Sequence, residues 1–383
     1  MSTSVEHLLA AKEIAIACGS GGVGKTTVAA ALGTMAATHL GGRVLVLTVD
    51  PARRLASALG LEAFGNAETR VAPEAFAAVG LEPRGELWVA MLDTKQSWDD
   101  LVRRHAPDEK TRDAILANPL YTNITAKFVQ SHDYIAMERL FEIHSSGRYD
   151  LVVVDTPPTR NALDFLDAPA RMAEFFESRL LRWLTVPYRS RFVTLASRPF
   201  YQMADRILGT QFLQDIAEFF SLFQTMQRGF VARAKEVTRV LADRRTTFVV
   251  VSTLEAAPLD EAEFFMDALR ARRLQLGALV LNRVLPPYLL DARATAAADV
   301  LRASADDLGA DLAPLVDAPP ARVSGVLTEV ANSFSNFQVV AKREAEQRAE
   351  LAGAPEVTVA VPYLDEDVHD LSGLARLGAL LWG

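Results

Sequence analysis

A glycine-rich segment with one lysine and two threonines is the strongest chemical signal in the sequence. It reads Gly-Ser-Gly-Gly-Val-Gly-Lys-Thr-Thr over residues 19–27, between an apolar run and an alanine-rich stretch that predicts a helix. Glycines allow backbone N–H groups to turn inward around a phosphate chain, and the N-terminus of the following helix adds a favourable dipole. The segment therefore predicts a phosphate-binding loop, or P-loop.

Two side chains of this loop have predicted roles in binding ATP and Mg²⁺. In loops of this type the lysine, here Lys25, reaches the β and γ phosphates, and the hydroxyl of the next residue, Thr26, is a ligand for Mg²⁺. A glycine-rich turn alone would be weak evidence, but the Lys-Thr pair at this spacing is specific for phosphate binding. The predicted phosphate contacts are Gly21, Gly22, Val23, Gly24, Lys25, Thr26 and Thr27.

Two aspartates follow strongly apolar runs and are the predicted carboxylates of the magnesium site. Asp155 ends Leu-Val-Val-Val-Asp, as the aspartate of a Walker B motif does, and would hold Mg²⁺ directly or through a water ligand. Asp50 ends Val-Leu-Val-Leu-Thr-Val-Asp and could orient or deprotonate the attacking water. We assign catalysis to Asp50, Lys25 and Asp155, and metal binding to Thr26, Asp50 and Asp155. The alternative for either aspartate is to cap the helix after its strand.

The adenine base has candidate contacts nearer the end of the chain. Asn282 and Arg283 follow one apolar run, and Pro362 and Tyr363 follow the last one. A carboxamide can read the edge of adenine by donating and accepting hydrogen bonds together, and a proline-led loop can press on the base. We predict that these four residues bind the nucleotide. The alternative at each place is an ordinary turn after a strand.

Seven short β-branched runs alternate with longer helical patterns and must form the framework that positions these residues. This alternation predicts a parallel sheet covered by helices, and the almost wholly apolar runs are typical of strands buried on both faces. The predicted fold is α/β, a doubly wound, mostly parallel sheet of the P-loop NTPase type with an inserted α-helical subdomain. The predicted strands are Glu13–Cys18, Arg43–Asp50, Leu87–Asp93, Asp150–Asp155, Thr247–Ser252, Gly277–Asn282 and Val357–Val361.

The pattern changes after the fourth strand, where residues 160–245 show helical periodicity and no strand. We therefore divide the chain into a nucleotide-binding domain, residues 1–160 and 245–383, and an inserted helical subdomain, residues 160–245. Two apolar stripes in the insertion fit ordinary contacts between helices, and the alternative is a groove for a hydrophobic client. The stripes are Phe212, Ile216, Phe219, Phe220, Phe223, Met226 and Phe230, and Met172, Phe175, Phe176, Leu180, Leu181 and Leu184.

The region before the last strand shows no recognisable chemistry. Residues 286–322 are rich in Ala, Asp and Leu and predict short helices in a surface excursion. Residues 338–351 predict a charged, solvated helix that leads to the last strand.

Composition argues against several classes of function. The chain has 383 residues, half of them apolar, and its net charge of −8 comes from interspersed residues, which disfavours a nucleic-acid partner. No apolar run has the roughly 18 residues of a membrane span, and Met1–Lys12 lacks a secretory pattern, so we expect a cytoplasmic protein without stable membrane insertion. The single cysteine, Cys18, cannot form an internal disulfide, and structural zinc is not expected.

Five segments carry a family resemblance: residues 19–27, Val-Asp-Pro-Ala-Arg-Arg-Leu at 49–55, Val-Asp-Thr-Pro-Pro-Thr-Arg-Asn-Ala-Leu at 154–163, Leu-Asn-Arg at 281–283 and Val-Pro at 361–362. Together they resemble the ArsA-type ATPases of the deviant Walker A group, which include arsenite-pump ATPases and targeting ATPases for tail-anchored membrane proteins. The resemblance covers nearly the whole chain. It implies that residues 50–56 and 155–163 are switches I and II, which sense the γ phosphate. It also implies a dimer with ATP near the interface, and adenine contacts from Asn282 and the loop at Pro362.

Two departures from the family pattern bear on partner and substrate. The family's signature lysine would fall at Ser20, and the chain has neither the zinc-binding cysteine pair of the eukaryotic targeting ATPases nor a cysteine cluster for arsenite. The sequence is similar to bacterial ArsA-like proteins with Ser or Ala in the loop, which often occur beside a second ArsA-like subunit. We therefore expect a homodimer, or a heterodimer with a second ArsA-like subunit that carries the loop lysine.

The preferred function is Mg-dependent ATP hydrolysis coupled to opening and closing of a dimer, with the helical subdomain handling a hydrophobic or membrane-associated client. Three alternatives stay open. The missing lysine favours a regulatory subunit that binds ATP with little turnover. An arsenite-pump ATPase is disfavoured by the lack of thiols. A partitioning or septum-site ATPase is disfavoured because the sequence shows neither a basic surface nor a terminal amphipathic helix.

Overall fold

One eight-stranded sheet forms the centre of the fold. The structure, a computed structural model, describes residues 4–49, 58–59, 66–122, 129–156, 162–177, 218–351 and 353–382. Within these ranges the strands are β1 (Ile14–Cys18), β2 (Arg43–Thr48), β3 (Thr69–Arg70), β4 (Glu86–Met91), β5 (Leu151–Asp155), β6 (Thr246–Ser252), β7 (Leu276–Val284) and β8 (Val357–Pro362).

The strand order is β3-β4-β2-β5-β1-β6-β7-β8, and every neighbouring pair is parallel except β3 with β4. Each of the seven predicted apolar runs is a strand, so the predicted α/β class with a mostly parallel sheet is confirmed. The antiparallel edge strand β3 was not predicted, because two residues are too short to show a periodicity. Parallel pairing brings the carboxyl ends of the strands to one edge of the sheet, where the chemistry-bearing residues were expected.

Helices cover both faces of the sheet, since alternate residues of each strand point to opposite sides. In β1, Ile14 and Ile16 join one buried cluster and Ala15 and Ala17 join the other. The described helices are α1 (Val5–Ala10), α2 (Lys25–His39), α3 (Pro73–Ala78), α4 (Thr94–His105), α5 (Glu109–Ala117), α6 (Val129–Ser145), α7 (Ala162–Glu177), α8 (Gln227–Ala242), α9 (Ala256–Ala271), α10 (Ala292–Ala303), α11 (Ala305–Val316), α12 (Pro320–Glu350) and α13 (Leu371–Trp382), with a 3-10 helix at Pro287–Leu290. Helices α1, α2, α3 and α13 pack on one face, and α4 to α9 pack on the other.

The described part of the phenylalanine stripe lies in the core. Phe219, Phe223 and Phe230 are almost fully buried, and the rings of Phe223 and Phe230 lie 6.4 and 6.2 Å from the ring of Trp98. In this conformation the stripe therefore makes the ordinary helix contacts. The described residues do not include residues 178–217, which contain Phe212 and Ile216 of this stripe. They also do not include the side chains of the second stripe beyond Met172. The division into residues 1–160 and 245–383 and an insertion at 160–245 stays a prediction.

Residues 286–350 form the 3-10 helix and the three α-helices α10, α11 and α12, so the region predicted to contain short helices is helical. Helix α12 has 31 residues and begins at Pro320, well before the predicted charged helix at 338–351. It packs on α11 through the Ser324 hydroxyl, which donates to Asp306, and on α10 through Gln338, which donates to Thr295. Across the described ranges, no helix is both long enough and apolar enough to cross a membrane.

Candidate nucleotide-binding site

The glycine-rich segment connects the carboxyl end of β1 to the N-terminus of α2. Gly22 and Gly24 have φ angles of 83° and 94°, a region that side chains with a Cβ rarely adopt. A Cβ on Gly24 would also lie 2.4 Å from Nδ2 of Asn282. The glycines therefore permit both the sharp turns of the loop and the close approach of β7, as a phosphate cradle requires.

Lys25 is the first residue of α2 and extends back across the loop. Its side chain is largely buried, and its Nζ donates to the carbonyl oxygen of Ser20 at 2.7 Å. The Ser20 hydroxyl is itself buried and has no hydrogen-bond partner among the described residues. An ammonium group held inside a glycine-rich loop at the N-terminus of a helix is suited to contact a phosphate group.

Two hydroxyl groups converge on the carboxylate of Asp155. Thr26 and Thr48 donate to its Oδ2 at 2.7 and 2.9 Å, and Asp155 itself is fully buried. The register of the sheet places Thr48 of β2 directly opposite Asp155 of β5. Carboxylate and hydroxyl oxygens are the hard donors that Mg²⁺ prefers, so Thr26 and Asp155 fit the predicted metal site.

Thr48 is a site residue that the sequence prediction missed. It is the one polar residue inside Val-Leu-Val-Leu-Thr-Val, the apolar run that precedes Asp50. A hydroxyl in a fully buried strand needs a partner, and that requirement was the available signal. Only the strand register shows that the partner is Asp155.

The predicted switch residues are only partly described. Asp50 and residues 157–161 lie outside the described residues, so the proposed role of Asp50 stays a prediction. The strand that leads to Asp50 ends beside Asp155, because the amide of Val49 donates to the Asp155 carbonyl at 3.1 Å. Thr156, which follows Asp155, donates its hydroxyl to the Ala17 carbonyl at 2.8 Å. The start of the predicted switch II is therefore attached to β1 close to the P-loop.

Asn282 and Arg283 lie against the P-loop backbone. Nδ2 of Asn282 donates to the Val23 carbonyl at 2.8 Å, and its Oδ1 accepts from the Arg283 amide at 3.0 Å. The Arg283 guanidinium donates to the Gly22 carbonyl at 3.3 Å, and the residue has a φ of 60°. These contacts were not predicted, and they give both residues a part in supporting the loop. Their adenine contact stays a prediction.

Pro362 and Tyr363 lie at the same sheet edge as Asn282. Pro362 is opposite Val284 in the β7–β8 pairing, and the Tyr363 amide donates to the Val284 carbonyl at 2.9 Å. The Tyr363 side chain is 61% exposed and is accessible to a ligand. The structure thus brings all four predicted adenine residues to one end of β7 and β8.

Cys18 has no chemical role that its surroundings support. Its Sγ donates weakly to the Val249 carbonyl at 3.6 Å, and burial raises the pKa of the thiol. A buried thiol that resists ionisation is a poor ligand and a poor nucleophile. The residue ends β1 as a small core side chain.

Comparison with known proteins matches most of the chain, including the P-loop, Asp155 and Asn282, to one family. The family described as anion-transporting ATPase matches residues 12–298. An ATPase ASNA1 homolog of Paramecium tetraurelia is 26% identical over 273 residues, which cover 70% of this chain and 74% of that protein. An uncharacterized protein of Streptomyces coelicolor is 32% identical over 272 residues, covering 70% and 61%. A putative arsenical pump-driving ATPase of Aquifex aeolicus is 23% identical over 277 residues, covering 70% and 79%.

Proposed function

Because the chain belongs to the family of anion-transporting, ArsA-type ATPases and is an ATP-hydrolysing enzyme, we propose that it couples hydrolysis of Mg-ATP to the opening and closing of a dimer. The observation that carries the nucleotide part is the cluster of Thr26, Thr48 and Asp155 beside the Lys25 loop. ATP is the nucleotide that the family implies, and Mg²⁺ is the metal that the oxygen donors fit.

Each residue of the cluster has a distinct proposed role. Lys25 contacts the β and γ phosphates, and Thr26 and Asp155 hold the metal. Thr48 orients the Asp155 carboxylate through its hydroxyl. Mg²⁺ held by Thr26 and Asp155 would supply positive charge against the negative charge that develops on the phosphate groups.

Asp50 is proposed to position the attacking water. Its support is the end of β2 beside Asp155, which directs the chain into switch I from the metal-binding edge of the sheet. A carboxylate at this place can accept a proton from water or fix its orientation. Switch I would then report the γ phosphate to the rest of the dimer.

The first experiment separates binding from turnover. Lys25→Ala should abolish tight ATP binding, because it removes the ammonium group that the loop holds. Asp50→Asn should spare binding and lower turnover by roughly 10²-fold or more, the scale of lost acid–base catalysis. Binding is measured by calorimetry and turnover by phosphate release. Lys12→Ala is the matched control, since Lys12 donates to the Arg244 carbonyl at the opposite end of the strands.

The control should keep wild-type affinity and turnover. Wild-type turnover by Asp50→Asn would show that the switch I assignment is wrong. Tight ATP binding by Lys25→Ala would contradict the P-loop assignment itself.

A hydrophobic or membrane-associated client protein is the proposed cargo of the helical insertion. Support comes from the family resemblance and from relatives named ATPase ASNA1 homolog and ATPase GET3. Because Phe219 and Phe223 are buried in the present conformation, their use as a client surface requires the insertion to open when ATP binds. We expect capture of an apolar helical peptide to increase with ATP and to be lost on Phe219→Ser. ATP-independent capture would contradict this coupling.

A second ArsA-like subunit is the proposed partner, with a homodimer as the alternative. Ser20 occupies the place of the family's signature lysine, so two copies of this chain would lack that cation at both sites. Arg53, Arg54 and Arg160, in or beside the switches and outside the described residues, are the alternative source of charge. The same substitution favours a second candidate function, an ATP-binding regulatory subunit with little turnover of its own.

A further inference from the structure

Helix α12 carries an apolar stripe that the described parts of the chain leave uncovered. Val326, Val330, Phe337 and Val340 are 57%, 53%, 54% and 46% exposed. Large apolar side chains in a contiguous exposed row usually mark an interaction site. The stripe is therefore a candidate docking surface.

The spacing of the stripe is that of a coiled-coil seam. Together with the half-buried Val323 and Ser333, the row has alternating steps of three and four residues, which define heptad positions a and d. The side of α12 that packs on α10 and α11 carries Ser324, Ala331 and Gln338 and is distinct from this row. Over residues 326–340 the described parts of the chain leave this a/d row uncovered, so it is suited to pair with another helix, whereas the next a position, Glu344, accepts a hydrogen bond from the Leu285 amide of its own chain.

A row of charges flanks the seam and indicates which helix would pair with it. At seven-residue intervals along the g positions stand Arg322, Glu329, Asn336, Arg343 and Glu350, and all five are exposed. Within the described part of the chain, none of the four charged members forms a salt bridge. Read outward from Asn336, each charge on one side has the opposite charge at the same distance on the other. This symmetry fits a partner with the same sequence in the opposite direction.

We propose that α12 pairs with α12 of a second copy of this chain, antiparallel and centred on Asn336. In antiparallel coiled coils, g positions of one helix face g positions of the other. Arg322 would then face Glu350 of the second copy, and Glu329 would face Arg343 of the second copy. The two-fold symmetry repeats both pairs, so four complementary contacts flank the seam. Within the seam, Val330 would pack on Val340 of the second copy, and Ser333 would pack on Phe337 of the second copy.

The charges select this register against its neighbours. A slip of one heptad in one direction would bring Arg322 against Arg343, and a slip in the other would bring Glu329 against Glu350. Either slip places like charges together twice, which disfavours it. In a parallel pair the g positions would instead face e positions, which are Leu327, Phe334 and Ala341, and the charges would have no partners.

The proposed pair joins two copies of this chain, which is the homodimer alternative of the proposed function, and it does not depend on ATP. Helix α12 lies close to the nucleotide site, because its Glu344 accepts a hydrogen bond from the Leu285 amide. Leu285 is two residues after Arg283, which donates to the Gly22 carbonyl of the P-loop. Two copies joined through α12 would thus stay together when their nucleotide sites separate. The family match ends at residue 298, before α12 begins.

Charge reversal in the full-length chain tests the pair by sedimentation velocity without nucleotide. The wild type should dimerise. Glu329→Arg or Arg343→Glu alone should weaken dimerisation by roughly tenfold or more, because each puts like charges together twice. The double variant should restore it to about the wild-type value. Glu346→Arg is the matched control, since it makes the same charge change on the same helix at an exposed c position and should have no effect.

Cross-linking tests direction and register separately. Asn336→Cys should give a covalent dimer with a short bis-maleimide, because the two copies of this position meet at the centre. Arg322→Cys should not, since its copies would lie 28 residues apart along the helix pair, roughly 40 Å. The native Cys18 is buried and adds little background. Cross-linking of both variants would show a parallel pair and overturn the proposal.

A monomeric wild type, or single charge reversals without effect, would also overturn it. Because all these substitutions are on the surface, circular dichroism and ATP binding should match the wild type. Loss of dimerisation with ATP binding intact is thus distinguishable from failure of the nucleotide site, which Lys25→Ala reports.

Discussion

At the scale of single residues, the hydroxyl of Thr48 is the least expected part of the site. Its hydrogen bond to Oδ2 of Asp155 is 2.9 Å long, and both side chains are fully buried. Groups that hydrogen-bond a metal ligand orient it and affect metal affinity nearly as strongly as the ligand does. Thr48 is therefore expected to control Mg²⁺ binding without touching the metal.

Thr48→Val should raise the Mg²⁺ concentration needed for half-maximal ATPase activity by roughly 10 to 100-fold, because the Asp155 carboxylate loses the hydrogen bond that the Thr48 hydroxyl donates. The measurement is a Mg²⁺ titration of phosphate release. Thr246→Val is the control. This threonine is equally buried and donates to the Val240 carbonyl at the start of β6, at the edge of the sheet away from the nucleotide site. The control should lose about 1 kcal/mol of stability and keep its Mg²⁺ dependence. An unchanged titration for Thr48→Val would show that Asp155 does not need this hydroxyl.

At the scale of secondary structure elements, the segment 218–230, which belongs to the predicted insertion, packs in the core of the described structure. The ring of Phe223 lies 4.7 Å from that of Phe219 and 6.3 Å from that of Tyr121, which belongs to the segment after α5. Tyr121 in turn donates its hydroxyl to Asp99 of α4 at 2.8 Å. Opening the stripe to a client would therefore separate it from α4 and the segment around Tyr121.

Phe223→Ala should lower the free energy of unfolding by about 3–5 kcal/mol, the range for a buried phenylalanine that leaves a cavity. Phe264→Ala is the matched control, because Phe264 is 64% exposed on α9, and it should change stability by less than about 0.5 kcal/mol. Urea denaturation measures both. A small effect at Phe223 would mean that the stripe is loosely packed and available to a client even without ATP.

At the scale of the whole molecule, the question is which group supplies a positive charge to the γ phosphate in addition to Lys25, since Ser20 stands in the place of the family's signature lysine. Phosphoryl transfer spreads negative charge over the γ oxygens, and an added cation accelerates turnover by roughly 10³ to 10⁵-fold. Ser20 cannot supply that charge. If a second ArsA-like subunit carries the lysine, one competent site would form per heterodimer, built from Lys25, Asp50 and Asp155 of this chain.

The purified chain should therefore show weak ATPase activity that rises sharply when a lysine-bearing ArsA-like subunit is added. The rise should vanish when the lysine of that subunit is replaced by alanine, which is the control for mere complex formation. Single-turnover kinetics distinguishes slow chemistry from slow product release. Full activity from the isolated chain, lost on Arg53→Ala or Arg160→Ala, would show instead that the switches supply their own cation.

Features that depend on neighbouring residues in the chain were accessible from the sequence alone. The P-loop was one of them, because its glycines, Lys25 and Thr26 act within nine consecutive residues. The strands were another, since an apolar run such as residues 151–154 indicates by itself a strand that is buried on both faces. The position of Asp155 at a strand end followed directly from that run. These local signals determined the fold class and the family.

Only the tertiary structure decided which distant residues meet. Thr48 faces Asp155 because of the register between β2 and β5, and Asn282 reaches the Val23 carbonyl because β7 ends beside the P-loop. Periodicity likewise shows that a helix has an apolar side but not what covers it. The stripe around Phe223 is covered by α4 and its neighbours, whereas the described chain leaves the stripe around Phe337 exposed. Register and coverage depend on packing between segments far apart in the chain, which a pattern within one segment does not encode.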